Sequence, residues 1–257
     1  MASTQSPNQM NMRRLDLGAA FEFARNDPQW MMRCVSHGLM NMIPIMGMLC
    51  MWGWGRRIYH LARTGQHDAL PEPDWGKELT DGVAPLAAVL NSALLIIPAV
   101  MFWLALTITF VTLTESSGGD PSGLVPIVML VLQLGMMVMI GASQLLMPEL
   151  VRRGYNGELL PLRHLGPSLR VIWANPGAYM LTCLGIMLCN VVGQLGLLFF
   201  GVGVFLTVPL GHLMSAHIVA QWDSIVEQHE RGSVKVPSPE VARDTQRLQE
   251  ARVETSR

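Results

Sequence analysis

Four long blocks without any Asp, Glu, Lys or Arg constrain this chain more than any other feature. They cover residues 34–55, 83–113, 123–147 and 178–221. A helix that crosses a membrane needs roughly 20 apolar residues, so the second and third blocks fit one span each and the fourth fits two. Charged residues make up only 14% of the chain, against about 25% in typical soluble domains. The sequence therefore predicts a multi-pass membrane protein.

The connections between the blocks indicate an orientation, because cytoplasmic loops retain Lys and Arg. Basic residues flank the first block on both sides, recur between the third and fourth blocks, and recur again after residue 222. Connection 114–122 has no Lys or Arg and carries Glu115 and Asp120. We therefore place this connection outside the cell and both termini in the cytoplasm, with the protein in the inner (cytoplasmic) membrane.

The first block is too short for two full spans and contains Pro44. A single crossing would leave four arginines outside, so we expect a re-entrant hairpin that turns at residues 43–47. Non-helical backbone is tolerated there if protein or water covers it. A single tilted span with the N-terminus outside is the alternative. With a similar turn near residues 201–203, the predicted fold class is all-α, a polytopic transmembrane bundle of three helical hairpins.

Part of the first block recurs in the fourth. An Asx-Pro pair stands at residues 27–28 and again at 175–176, where Asp or Asn can accept hydrogen bonds from a helix start and Pro suits the first helical position. At a constant offset of 149, several positions carry the same residue, among them Asn41 and Asn190. The pattern predicts a parallel pseudo-repeat about the membrane normal.

Polar side chains inside the blocks are few. The candidate intramembrane polar site consists of Asn41, Asn190, Gln194, His37 and His212. Such groups commonly form interhelical hydrogen bonds worth about 0.6 kcal/mol each, and we favour that interpretation. An ion-coupled transporter is disfavoured, because its spans usually contain ionisable residues.

The last predicted span carries small residues at every fourth position, namely Gly203, Thr207, Gly211 and Ser215. This candidate helix-packing stripe permits close backbone approach. Its partner is either another helix of this chain, which we favour, or a second copy.

Two connections have helical patterns. Asp74 is a candidate N-cap for a short interfacial helix that leads into the second block. Leu162, Leu165, Leu169 and Trp173 form an apolar stripe, which predicts a helix lying on an anionic membrane surface.

The chain contains 19 methionines, several of them close to Cys34 and Cys50. Soft sulfur ligands select Cu(I), although methionine more often serves as a flexible apolar filler. The sequence has no phosphate-binding glycine loop, zinc-ligand spacing or nucleophile elbow. We therefore expect no catalytic residues, no cofactor, no metal site and no nucleic-acid partner, and a membrane enzyme is the least favoured class.

Several segments resemble one membrane protein family, known as domain of unknown function 4013. They are "FEFARNDPQWMMRCVSHGLMNMIPIMGMLCMWGWGRRI", "LPEPDWGKELTDG", "NPGAYM" and "GVGVFLTVPLGHLMSAHIVAQW". The resemblance implies a six-helix-like membrane domain, similar in layout to the membrane region attached to some glycerophosphodiester phosphodiesterases. It implies no reaction, ligand or catalytic residue. The high methionine content and the polar C-terminal extension depart from the family pattern.

The predicted organisation is a polar cytoplasmic N-terminus at residues 1–20, a transmembrane domain at 21–222 and a polar cytoplasmic tail at 223–257. The expected function is that of a non-catalytic accessory or assembly component of a membrane complex. Its partners would be the lipid bilayer and another membrane protein or a second copy. The alternative is a transporter or channel for a small or lipidic solute, with Cu(I) handling as a variant.

Overall fold

A computed structural model describes residues 15–66, 69–116, 124–198 and 203–233. The α-helices are α1 (Leu17–Arg25), α2 (Trp30–Met40), α3 (Met46–Thr64), α4 (Trp75–Asp81), α5 (Val83–Ser116), α6 (Leu124–Tyr155), α7 (Leu165–Ala174), α8 (Pro176–Leu195) and α9 (Val204–Ser233). Short 3₁₀ turns precede α7 and follow α8. Within the described ranges all regular structure is helical, which confirms the predicted all-α class.

Four of these helices are long and apolar enough to cross a membrane. They contain the segments Val83–Leu113, Ile127–Tyr155, Pro176–Leu198 and Val204–Arg231. The second and third charge-free blocks thus correspond to α5 and α6, and the fourth divides between α8 and α9. The predicted helical membrane bundle is confirmed at this level. Most of the outer connection, most of the turn near 201–203, and the tail from residue 234 onward lie outside the described residues.

The first block forms α2 and α3, joined by a turn at residues 41–45. The chain reverses direction at this turn. The reversal is shown by the rings of His37 in α2 and Trp54 in α3, which stack with centroids 4.1 Å apart. The 11 residues of α2 extend only about 16 Å, roughly half of a hydrocarbon core. Ile45 has a positive φ of 67° at the turn. The first block therefore lies in a hairpin of two unequal helices, whose turn begins two residues before the predicted residues 43–47. That this hairpin re-enters a membrane from the cytoplasmic side stays a prediction.

Helix α9 is the centre of the bundle. It packs against α1, α2, α3, α6 and α8, and Leu213, Ile218 and Trp222 are fully buried along it. In the most apolar 18-residue stretch of α9, 61% of the residues are buried inside the chain. In the corresponding stretch of α5, none is. The α5–α6 hairpin consequently joins the other helices mainly through one end.

Close backbone contacts fix α9 against its neighbours. A Cβ on Gly38 would lie 2.0 Å from the carbonyl oxygen of Phe205, and a Cβ on Gly211 would lie 2.4 Å from that of Cys189. Only hydrogen fits at either position, since both obstacles are main-chain atoms. These two glycines set the spacing of α2 and α8 from α9.

The two Asx-Pro segments differ in structure. Helix α8 begins directly after Asn175, as predicted, but this side chain makes no capping hydrogen bond. Helix α2 begins at Trp30, two residues later than predicted. The reason is that Asp27 uses one oxygen for the amide of Gln29 at 2.8 Å and the other for the amide of Leu70 at 3.0 Å. The parallel pseudo-repeat stays a prediction.

The two connecting helices lie where the sequence patterns indicated them. Asp74 is the N-cap of α4, and its side chain accepts a hydrogen bond from the amide of Lys77 at 3.2 Å, which confirms its predicted role. In α7, Leu169 is 37% exposed and Trp173 is 77% exposed. The apolar stripe of α7 is thus partly uncovered by the rest of the chain.

Candidate functional site

A cavity of about 690 Å³ lies between α6, α8 and α9, with Trp52 of α3 as part of its wall. This volume falls in the range of small-molecule sites, roughly 300–1,000 Å³. Much of the wall is apolar and includes Leu145, Met147, Met180 and Met187. All three helices around it are candidate membrane spans.

The polar part of the wall consists of neutral side chains. Gln144, Asn190, Gln194, His212 and Ser215 line the cavity, and no Asp, Glu, Lys or Arg does so among the described residues. Asn190 and Gln194 are one helical turn apart on α8, and the three amide side chains are exposed in the isolated chain. Ser215 donates its hydroxyl hydrogen to the carbonyl of Gly211 at 2.9 Å.

The cavity brings together three of the five residues of the candidate polar site, namely Asn190, Gln194 and His212. His37 is instead buried between α2, α3 and α4, beside Glu78. Asn41 is exposed at the C-terminal end of α2. The two asparagines that coincide in the sequence repeat therefore have different surroundings.

The small-residue stripe on α9 faces α8 of the same chain. Thr207 donates its hydroxyl hydrogen to the carbonyl of Gly193 at 2.8 Å, and Gly211 lies against the backbone at Cys189. Gly203 is next to Gly196 at the start of the stripe. At its other end, Gly211 and Ser215 reach the cavity.

His212 forms the inner wall between the cavity and α3. Its ring meets that of Trp52 edge to face at 4.7 Å, and its Nε2 finds no hydrogen-bond partner among the described residues. A Cβ on Gly55 would lie 2.5 Å from this nitrogen and 2.8 Å from the hydroxyl oxygen of Tyr155. The glycine at position 55 therefore makes room for both polar atoms.

A buried ion-pair cluster adjoins the cavity, centred on Glu149 of α6. This carboxylate is 1% exposed and accepts hydrogen bonds from Arg152 at 2.8 Å, Arg153 at 3.2 Å and the indole of Trp222 at 3.0 Å. Arg152 also binds Asp223 of α9 at 2.6 Å. The Glu149 cluster thus joins α6 to α9.

The cluster continues to α3 through Asp223. Arg63 binds Asp223 at 2.9 Å and Glu227 at 3.0 Å. Burial raises the pKa of the Tyr59 hydroxyl, and the neighbouring carboxylate of Asp223 raises it further. Tyr59 therefore stays protonated, and its oxygen accepts a hydrogen bond from the side-chain Nδ2 of Asn156 at 2.9 Å.

Glu78 of α4 is a second buried carboxylate, with no exposed surface. It lies 3.1 Å from Nε2 of His37 and 3.1 Å from Arg57. The other ring nitrogen of His37 is 2.8 Å from the carbonyl of Arg33. Each ring nitrogen of His37 therefore lies beside one oxygen atom, the carbonyl oxygen of Arg33 or a carboxylate oxygen of Glu78.

Sequence reasoning missed these buried acids. Glu78, Glu149 and Asp223 all lie in segments outside the charge-free blocks. Charges in such segments are ordinarily solvated. The spacing of Glu149 to Arg152 and Arg153, three and four residues on, was a signal for ion pairs on one helix face, but it did not indicate burial.

The methionines near the first turn differ in burial from the two cysteines of the first block. Met42, Met46 and Met48 are exposed near the first turn, whereas Cys34 and Cys50 are buried. In the described part of the chain, no three side chains of His, Cys, Asp or Glu are grouped so that they could hold a metal ion.

A family model described as "Protein of unknown function (DUF4013)" matches residues 37–209, about two thirds of the chain. The match extends from α2 to the beginning of α9 and includes all of α6 and α8. No curated protein and no solved structure matches the chain.

Proposed function

Because the chain belongs to the DUF4013 family, whose description names no activity, we propose its function from its own cavity: this membrane protein holds a small amphipathic, lipid-like molecule between α6, α8 and α9. The family resemblance expected from the sequence motifs is confirmed by the match. The observation that carries the proposal is a cavity of about 690 Å³ whose wall combines apolar side chains with neutral amides.

The amides explain why the occupant should be amphipathic. An amide placed in hydrocarbon without a hydrogen bond costs roughly 2 kcal/mol or more. Asn190 and Gln194 face the cavity and are exposed in the isolated chain, so in a membrane they need polar partners. A molecule with an apolar tail and a polar group satisfies the apolar wall and the amides together.

We propose binding without chemical conversion. General acid-base or nucleophilic catalysis needs a reactive group held beside a second group that activates it. His212 is the one histidine among the described residues of the wall. The two wall cysteines contact other groups, Cys183 the carbonyl of Leu145 and Cys189 the hydroxyl of Ser215. A carrier or a storage protein for a lipidic solute fits this arrangement.

An accessory role in a membrane complex is the second candidate. It is favoured by α5, whose most apolar 18-residue stretch has no residue buried inside the chain, with Met101 and Phe102 61% and 65% exposed. Such a helix offers a surface to another membrane protein or a second copy. We also propose that the protein resides in the inner membrane with both termini in the cytoplasm, as its Lys and Arg distribution favours.

Native mass spectrometry after gentle extraction tests the proposal. A Cβ on Gly141 or on Gly135 of α6 would meet no atom within 4 Å, but only Gly141 lines the cavity. Gly141→Leu should therefore project a side chain into the cavity and obstruct it without disturbing the helix, and Gly135→Leu is its matched control. We expect one small molecule per wild-type chain, retained equally by Gly135→Leu and at least about tenfold less by Gly141→Leu, a difference of about 1.4 kcal/mol.

Equal retention by both variants would contradict binding in the cavity. A wild-type spectrum without a small molecule, but with a protein partner in a fixed ratio, would instead favour the accessory role.

A further inference from the structure

The lining of the cavity is uncharged among the described residues. Gln144, Asn190 and Gln194 supply amide donors and acceptors to the wall, and the described lining residues include no formal charge. A ligand ion in such a site would lose its hydration without gaining a counter-ion. The cost of that transfer is several kcal/mol even after relaxation.

Charged side chains do occur one position away in sequence from the lining, but they are already paired with other side chains of the chain. Glu149 follows Pro148 of the wall, and Arg152 follows Val151. Glu149 accepts hydrogen bonds from Arg152, Arg153 and Trp222. Arg152 is paired with Glu149 and Asp223 and has a side chain only 12% exposed.

The arginines of the cluster are therefore already neutralised by carboxylates of the same chain and are not available to a charged ligand. Arg63, Arg152 and Arg153 are each paired with at least two of the four carboxylates Glu149, Glu158, Asp223 and Glu227. A phosphate drawn toward Arg152 would have to displace a carboxylate that is itself buried. Removal of one partner from a buried pair typically costs about 3–5 kcal/mol, which a single new contact would not offset.

From these observations we infer that the cavity ligand is an uncharged amphipathic lipid whose polar part carries hydroxyl groups, in the manner of a monoacylglycerol. This inference rests on the proposed function, because it specifies the ligand of the same cavity. Hydroxyl groups are chosen because an amide can both donate to and accept from them. Asn190 and Gln194, adjacent on one face of α8, are the assigned contacts for this polar part.

Three lipids with the same oleoyl chain test the inference by competition in mild detergent, with native mass spectrometry of the full-length protein as the readout. Monooleoylglycerol is neutral with two hydroxyls, monooleoyl lysophosphatidate carries a phosphate in place of one of these hydroxyls, and methyl oleate has no hydroxyl. We expect wild-type protein to retain monooleoylglycerol at least about tenfold more than either competitor.

Variants separate the contributions of charge and hydrogen bonding. Asn190→Leu should abolish the preference for monooleoylglycerol over methyl oleate, whereas Asn41→Leu, which changes the exposed asparagine outside the cavity, should leave it intact. Gln144→Lys should raise retention of the lysophosphatidate at least about tenfold, because it provides the missing counter-charge.

The outcomes distinguish this inference from the proposed function. Wild-type preference for the lysophosphatidate, with binding still lost in Gly141→Leu, would overturn neutrality and leave the cavity as the binding site. Equal retention of methyl oleate and monooleoylglycerol would overturn the hydroxyl requirement. Retention of every lipid regardless of Gly141→Leu would overturn the proposed function itself.

Discussion

Glu149 is a buried carboxylate that contacts three side chains at once. Its oxygens accept from Arg152, Arg153 and the indole of Trp222, so it satisfies groups on both α6 and α9. A buried ion pair adds little compared with a well-packed apolar pair, but the loss of one partner leaves the other charges uncompensated. Glu149 should therefore matter greatly for stability.

We predict that Glu149→Gln lowers the free energy of unfolding by about 3 kcal/mol or more, because Arg152 and Arg153 lose a buried counter-charge. Glu158→Gln is the matched control, since Glu158 also binds Arg153 but its side chain is 37% exposed. It should cost less than about 1 kcal/mol. A thiol-reactive dye can follow thermal unfolding, because three cysteines, Cys34, Cys50 and Cys189, are buried. Similar losses in the two variants would show that burial does not govern the cluster.

The contrast between Asp74 and Glu149 shows which residue roles a sequence can reveal. Asp74 caps the helix that follows it, and its partner Lys77 is three residues away, so local chemistry sufficed to predict it. Glu149 receives its indole partner from Trp222, 73 residues further on. Only the packing of α6 on α9 creates that contact, and no local pattern contains it.

At the scale of helices, the contact of α8 with α9 depends on hydrogen at position 211. A Cβ there would lie 2.4 Å from the carbonyl oxygen of Cys189, so a methyl group requires the two backbones to separate. That separation would also lengthen the bond from Thr207 to Gly193, now 2.8 Å. Since Gly211 lines the cavity, the shape of the cavity should change as well.

We predict that Gly211→Ala destabilises the protein by roughly 1–3 kcal/mol through overpacking. Gly177→Ala is the control, because Gly177 lies in α8 and a Cβ there meets no atom within 4 Å. It should be neutral or slightly stabilising, as alanine favours a helix by up to about 1 kcal/mol. The same thiol-dye melting experiment measures both. An unchanged melting temperature for Gly211→Ala would mean that the two helices adjust freely.

The spans α5 and α6 could be predicted because long runs without charge leave few alternatives to a membrane helix. The cavity could not, since its wall combines α6 with α8 and α9 from a different hairpin. Asn190 and Gln194 were selected only as polar groups in an apolar block; α8 places them one turn apart on one face. Gln144, on the other side of the cavity, received no special weight because its relation to them depends on how the hairpins pack.

For the molecule as a whole, the distribution of charge predicts its orientation. We expect a reporter protein that works only in the cytoplasm to be active when it is fused before residue 1 or after residue 257. Connection 114–122 carries Glu115 and Asp120 but no Lys or Arg. The same reporter should be inactive there, and a reporter that works only outside the cytoplasm should be active there. The reason is the retention of basic segments on the cytoplasmic side.

A matched change sharpens this orientation test. Glu115→Lys combined with Asp120→Lys places positive charge on the connection and should reduce the outside signal, whereas Glu115→Gln with Asp120→Asn should not, because acidic residues contribute little to orientation. Opposite locations for the two terminal reporters would favour the single tilted first span.

The central position of α9 also has a consequence for biosynthesis. Helices α1, α2, α3, α6 and α8 all pack on it, yet it follows every one of them in the chain and so leaves the ribosome after them. Segments made early generally fold first, but here the first hairpin can complete its packing only when α9 is present, because Gly38 of α2 lies against the backbone at Phe205. Packing of this bundle is therefore completed late in translation.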